Sequence, residues 1–132
     1  MHAKILALVF VLATVPAILG SGAVLAPNAM AAETFHKLSG LQIRAKVAGM
    51  EITDDVHWRD VYERSETLTS YSMGRVLIGK WWVQKDQLCL DLKEEPTAGC
   101  YEVWMSGNNV ELRPEGSDLP LEGVLQRSTN RE

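Results

Sequence analysis

The two cysteines of this chain, Cys89 and Cys100, could form a metal site, a redox pair or a disulfide. A zinc site needs three or four ligands, and no histidine lies near either cysteine in the sequence. A catalytic redox pair is expected as C-x-x-C, which is a much closer spacing. We therefore predict a disulfide between Cys89 and Cys100, with no metal and no cofactor.

A second group that could do chemistry is Asp55 with His57. On a strand the two side chains would share one face and could begin a metal site, although the only other histidines are His2 and His36. The alternative, which we favour, is a solvated strand end. The sequence has no Gly-x-Ser-x-Gly nucleophile elbow, and its predicted turns do not bring a serine, a histidine and an acidic residue together as a catalytic triad would need. We therefore expect no enzyme activity.

The first 31 residues have the pattern of a cleavable signal peptide. Lys4 precedes an apolar run of about 15 residues, which is shorter than the roughly 20 that a transmembrane helix needs. Ala29 and Ala31 then form a small-x-small cleavage site. Removal of residues 1–31 leaves 12 basic and 17 acidic side chains, a net charge of −5, which argues against a nucleic-acid partner.

We expect the mature chain to be one domain over residues 32–126, followed by a flexible tail over residues 127–132. This domain would be periplasmic or secreted, without a transmembrane segment, and in an oxidising compartment where disulfides persist. Ser39 to Gly49 begins with a capping residue and ends with glycine, so it predicts one short helix. The rest of the chain carries strand and turn signals.

Three hairpin registers can be proposed separately and then compared. A turn at Lys85-Asp86 places Trp82 opposite Cys89, and a loop at residues 93–99 places Cys89 opposite Cys100. A turn at Gly107-Asn108, with Gly first, is typical of a tight hairpin. It pairs these three sets of residues: Met105 with Val110, Val103 with Leu112, and Glu102 with Arg113.

These registers sort the side chains into one apolar face and one mainly polar face, because side chains alternate along a strand. The apolar face holds Trp81, Val83, Leu88, Leu90, Leu92, Tyr101, Val103, Met105, Val110 and Leu112. The other face holds both cysteines and, among charged residues, Trp82 and Trp104. Three independent turns thus give one consistent sheet.

The pattern as a whole predicts a mainly β protein, an antiparallel meander of about seven strands. Predicted strands cover Val56 to Tyr62, Thr67 to Tyr71, Val76 to Val83, Leu88 to Leu92, Cys100 to Met105, Val110 to Arg113 and Leu121 to Gln126. Closure into a small up-and-down barrel, or strong curling, would remove exposed edges. The short N-terminal helix would plug one end.

Gly79-Lys80-Trp81 resembles the G-x-W of lipocalins, in which the tryptophan closes the barrel floor below a cavity for small apolar molecules. The resemblance implies a carrier whose cavity is lined by Trp81, Leu90, Tyr101 and Val103. A plain core tryptophan is the competing interpretation of Trp81.

Trp82 and Trp104 would flank the disulfide on the mainly polar face. Large aromatic side chains beside a rigid cross-link are typical of a binding hot spot, so we interpret them as partner-binding residues. The alternative is that the helix, a loop or the first hairpin covers them. The expected function is a non-enzymatic module that binds a protein or envelope component, with the lipocalin-like carrier as the alternative.

The chain also resembles a group of small exported proteins of Gram-negative bacteria that carries no assigned activity. The segments that carry the resemblance are Ile52-Thr-Asp-Asp-Val-His-Trp58, Gly79-Lys-Trp, Leu88-Cys-Leu, Cys100-Tyr-Glu-Val-Trp104 and Glu122-Gly-Val-Leu125. This resemblance spans most of the mature chain. It implies export and a β-rich fold, and it implies nothing about chemistry.

Overall fold

A computed structural model describes residues 32–93 and 99–128. The predicted signal peptide lies outside these residues. The elements in chain order are β1 His36–Lys37, α1 Gly40–Val47, β2 Met50–Thr53, β3 Trp58–Tyr62, β4 Thr67–Ser72, β5 Arg75–Gln84, β6 Gln87–Asp91, β7 Cys100–Ser106, β8 Asn109–Pro114 and β9 Leu121–Arg127.

Strands β2 to β9 form a closed antiparallel barrel of eight strands. Each strand pairs with the next along the chain, and β2 pairs with β9 to close the sheet. Strand β1 lies beside β7, where His36 pairs with Met105 and Lys37 with Trp104. The predicted barrel is confirmed, but the count of about seven strands missed β1 and β2, which have only two and four residues.

The predicted registers of the central strands are confirmed. Trp82 pairs with Cys89 and Cys89 with Cys100, and the pairs proposed for β7 and β8 also occur. Lys85 and Asp86 both have positive φ, as a two-residue turn of type I′ requires. The last strand is also confirmed, although it extends to Arg127, so only residues 129–132 of the predicted tail lie outside the described chain.

The apolar face lines the interior of the barrel. Trp81, Leu88, Val103 and Leu112 are fully buried there, and Tyr62 meets Trp81 edge to face at a centroid distance of 5.8 Å. Such a pair stabilises by about 1 kcal/mol beyond the area that it buries. The indole of Trp81 also donates a hydrogen bond of 2.8 Å to the carbonyl of Glu63.

Helix α1 closes one end of the barrel. A capping box of Ser39 and Gln42 starts the helix, and Ile43 is buried from its inner side. The Gly40 N–H donates to Asp86 Oδ1 at 2.6 Å, and the Arg44 guanidinium pairs with Glu66 at 3.1 Å. These contacts attach the helix to two separate hairpin turns, so it is held in place as the predicted plug.

The disulfide between Cys89 and Cys100 is confirmed. Among the described residues it lies in the shortest ladder of the barrel. Strands β6 and β7 share the residue pairs Leu88–Tyr101 and Cys89–Cys100, and the Leu90 N–H donates to the Gly99 carbonyl beyond them, whereas other neighbouring strands share between four and six pairs. The covalent bond therefore strengthens the seam that has the fewest backbone contacts.

We expect the double substitution Cys89→Ser and Cys100→Ser to lower the free energy of unfolding by about 3 kcal/mol, because the cross-link shortens the loop that the unfolded chain can explore. Urea denaturation measures this loss. A reductant should shift the wild type by a similar amount and leave the double variant unchanged. Equal stabilities of the oxidised wild type and the variant would contradict the assigned role.

Candidate functional site

Trp82 lies on the outer wall in one cross-strand row with the disulfide. The row runs from Trp82 on β5 to Cys89 on β6 and Cys100 on β7. Cys89 is fully buried although it points outward, whereas Trp82 and Cys100 are half-buried. The indole N–H of Trp82 donates to Gln84 on the same strand at 3.3 Å. The tryptophan thus stands beside a cross-linked and rigid pair of strands.

Trp104 lies farther along β7 on the same outer wall and is held by charged neighbours. Its indole N–H donates to Glu102 Oε2 at 3.0 Å, and the Arg113 guanidinium lies 4.0 Å from its ring centroid. Arg113 is itself paired with Glu111 at 2.7 Å, and Lys37 of β1 pairs with Glu102. Trp104 is therefore half-buried among charged side chains rather than under the helix or the first hairpin.

The charge pairs on this wall differ from the expected ones. Glu102 and Arg113 are register partners as predicted, but Glu102 makes its ion pair with Lys37. The hydrogen bonds that Lys37 and Trp104 donate lower the pKa of the Glu102 carboxyl below its usual range. Strand β1 therefore completes the wall beside Trp104, and the sequence pattern did not reveal this strand.

A cleft of about 1020 Å³ opens next to the disulfide. Leu119 and Leu121 stand at its edge with 80% and 46% of their surfaces exposed. The remaining lining residues are Gln84, Lys85, Gln87, Gly99, Cys100, Tyr101, Pro114 and Glu115. The cleft thus combines exposed aliphatic side chains with amide and charged groups.

The four residues expected to line a carrier cavity all belong to the packed core. Trp81 and Val103 are fully buried, and Leu90 and Tyr101 are almost so. Trp81 lies at the helix end of the barrel, where Arg44 of α1 sits 5.6 Å from its ring centroid. Trp81 thus lies between the core and the helix, in the same buried cluster as the other three residues.

Asp55 and His57 lie in the loop between β2 and β3, so the prediction that they share a strand face is wrong. The Asp54 carboxylate causes this, because its Oδ1 accepts the backbone N–H groups of Val56, His57 and Trp58 at 2.7–3.0 Å. Those hydrogen bonds, the one from Trp58 foremost, hold the pKa of Asp54 well below its usual range.

His57 contacts Asp54 rather than Asp55, with 2.8 Å between Nδ1 and Oδ2. Within the described residues, no group of three His, Cys, Asp or Glu side chains is arranged to hold a metal ion. The pair therefore stabilises a loop that borders a groove of about 650 Å³ on the outer wall.

A polar group that the sequence pattern did not reveal lies inside the barrel. Asp60 points inward from β3, opposite Ile52 on one side and Ser70 on the other, and is only 9% exposed. Burial raises its pKa to about 6, although a hydrogen bond from Ser70 lowers it in part. Inward-pointing Trp58, Asp60 and Tyr62 alternate along β3, and this alternation was the signal available in the sequence.

Tyr62 lies two residues further along the same inner face. Burial and the nearby charge of Asp60 raise the pKa of its phenol. Within residues 32–93 and 99–128, the phenol oxygen of Tyr62 and Oδ1 of Asp60 are buried without a hydrogen-bond partner. Such unsatisfied groups cost about 1–3 kcal/mol each, so the barrel interior carries a local energetic penalty.

We expect Asp60→Asn to stabilise the protein at pH 7. The folded-state pKa of about 6 exceeds the unfolded value near 3.8, so folded protein binds this proton more tightly and wild-type stability falls as the pH rises from about 4 to 6. The shift corresponds to at most about 3 kcal/mol. Urea denaturation at a series of pH values measures the difference between variant and wild type.

The exposed acid Asp91 on β6 provides the control, since Asp91→Asn should leave this pH dependence unchanged. If Asp60→Asn raises the free energy of unfolding by the same amount at every pH from 4 to 7, the raised pKa of Asp60 is contradicted.

Comparison with known proteins gives no match to a family model, a curated protein or a solved structure. In the part of the chain that the structure describes, no helix is long and apolar enough to span a bilayer. The resemblances to lipocalins and to small exported proteins therefore remain predictions.

Proposed function

We propose that this protein is an exported, non-enzymatic binding module that contacts a protein or envelope component through its disulfide face. The disulfide face consists of Trp82, the Cys89–Cys100 disulfide, Trp104 and the adjoining cleft. Export is supported by the pattern of residues 1–31 and by the disulfide, which is typical of oxidising compartments.

The observation that carries this proposal is the placement of two partly exposed tryptophans around a cross-linked strand pair. Trp82 is next to Cys89 in register, and Trp104 follows Cys100 by four residues on the same face of β7. Large aromatic side chains contribute much contact area and lose little conformational entropy when their surroundings are already rigid. Both conditions hold on this wall.

The cleft gives the disulfide face the composition of an interface. Exposed Leu119 and Leu121 offer apolar area, and Lys85 and Glu115 lie among the lining residues. Specific interfaces combine an apolar centre with a polar rim in this way. A partner that presents an apolar side chain between hydrogen-bonding groups would match this surface.

The carrier hypothesis is supported by the closed eight-stranded barrel and by Trp81 at its helix end. It predicts a small apolar ligand inside the barrel. The four residues expected to line its site, Trp81, Leu90, Tyr101 and Val103, are buried in the core cluster, whereas Trp82 and Trp104 are partly exposed on the outer wall. The outer wall is therefore the better supported binding surface.

Photo-crosslinking tests the proposed surface directly. A benzophenone amino acid at position 82 or 104 should give a discrete adduct with the partner in cells that export the protein. The same amino acid at Tyr71 is the matched control, because Tyr71 is a half-buried outward aromatic on β4, away from the disulfide. Adducts of equal yield at all three positions, or at none, would overturn the proposal.

Substitution separates contact from packing. Trp82→Ser together with Trp104→Ser should abolish the adduct formed from a probe at Leu119 and change the unfolding midpoint little. A loss of many degrees in melting temperature would place the tryptophans in the core instead. Native mass spectrometry of the exported protein provides the second readout, since a co-purifying small molecule supports the carrier.

A further inference from the structure

The end of the barrel opposite helix α1, here called the open end, exposes part of its inner face to solvent. Leu77 pairs with the inward-pointing Ser70, and Leu121 pairs with the buried Leu112. Side chains directly opposite in neighbouring strands share one face of the sheet, so both leucines point inward. Leu121 is nevertheless 46% exposed, and Leu77 is only half-buried. Solvent therefore reaches the barrel interior at this end.

Exposure of the inner face falls from the open end towards the helix. On β3 it falls from the half-buried Trp58 to Asp60, which is 9% exposed, and to Tyr62, which is fully buried. The register partners on β4 repeat this order, from the exposed Ser72 to the buried Ser70. Asp60 therefore lies at the inner end of a path from the open end, and serine hydroxyl groups line the β4 side of this path.

The cleft beside the disulfide leads to the same end of the barrel. Its lining includes Tyr101, Pro114 and Leu121. Tyr101 belongs to the buried core and is the register partner of Pro114, so these two residues lie on the inner face, as Leu121 does. The cleft of about 1020 Å³ thus extends from the outer wall to the open end, and its size is that of a pocket for a small molecule.

Two polar atoms at the inner end of this path can accept further hydrogen bonds. Among the residues that the structure describes, Oδ1 of Asp60 and the phenol oxygen of Tyr62 are buried without a hydrogen-bond partner. Ser70 already donates one hydrogen bond to the Asp60 carboxyl. An ionised carboxyl only accepts hydrogen bonds, and a phenol oxygen can accept one as well as donate one. Together they are suited to a ligand group that has several donors.

Charge decides which donor group fits best. Burial raises the pKa of Asp60 to about 6, because the ionised carboxyl has lost much of its water. A cation beside Asp60 would stabilise the ionised form, whereas an anionic ligand would be repelled by it. A primary ammonium group carries one positive charge and three donors, so its chemistry matches a buried carboxylate beside a phenol. A paired buried charge also costs less free energy than an unpaired one.

We propose that the barrel interior binds the ammonium group of a small primary amine, with Asp60 as its ionic partner and Tyr62 as a second hydrogen-bond acceptor. The apolar body of the amine extends towards the open end, along Trp58 and Leu77. The ligand class is thus a slender amphiphilic amine with one cationic head. This inner site is separate from the tryptophans of the disulfide face, so either site can be tested without the other.

Titration of the oxidised protein with n-octylamine at pH 7 tests the proposal. Isothermal titration calorimetry should show one site per chain. Asp60→Asn should weaken binding by about tenfold or more, because the buried ammonium loses its ionic partner. The variant should remain folded, since a neutral amide replaces a buried acid. Asp91→Asn is the matched control, because it removes an exposed acid on β6 and should bind octylamine as the wild type does.

A second ligand and a spectroscopic readout test the charge and the location of the site. Octanoate, which has the same chain and the opposite charge, should bind at least about tenfold more weakly than octylamine. In NMR spectra, octylamine should shift the indole N–H signal of Trp58 more than that of Trp104.

Four outcomes would overturn the proposal. They are no detectable binding of octylamine, equal affinities for octylamine and octanoate, equal affinities of Asp60→Asn and wild type for octylamine, and NMR shifts confined to Trp82 and Trp104. The last outcome would assign the amine to the disulfide face. A crystal structure soaked with octylamine in which Asp60 contacts only a buried water would also overturn it.

Discussion

The covalent link between β6 and β7 is the constraint on which the barrel wall depends. These strands share two residue pairs, and the disulfide occupies one of them. Farther along β7, Trp104 and Met105 pair with β1 on that side. A two-residue strand and a cross-link thus stand where other neighbouring strands of the barrel have a longer ladder. The half-buried tryptophans of the disulfide face flank this seam.

The barrel interior is divided between well-packed apolar residues and one polar group. At the helix end, Trp81 packs against Tyr62 and hydrogen-bonds the backbone. Asp60, two residues away from Tyr62 on the same inner face, has only a partial counterpart in Ser70. A closed barrel of this size can bury a carboxyl only at an energetic cost, which the surrounding apolar contacts offset. The stability of the barrel therefore depends on the buried carboxyl of Asp60 in β3.

The sequence predicted best those strands whose register is fixed by a two-residue turn. Lys85-Asp86 and Gly107-Asn108 set the pairing of β5 to β8, and alternation then identified the core. Strands β1 and β2 escaped notice because two to four residues carry too little alternation to be recognised. The loop after β2 was misread as strand because the Asp54 side chain replaces backbone partners there.

Within the candidate site, the positions of Trp82 and Trp104 beside the disulfide followed from register, but the surroundings of Trp104 did not. The Lys37–Glu102 pair joins residues far apart in sequence, and no local pattern indicates it.

The pairing of β2 with β9 also joins residues far apart in sequence, since Met50 pairs with Arg127, whereas the other barrel ladders join consecutive strands. Consecutive hairpins can therefore form early in folding, because their contacts are local, but the barrel cannot close until β9 pairs with β2. Loss of even a few C-terminal residues of β9 would leave an open, curled sheet with two unpaired edge strands.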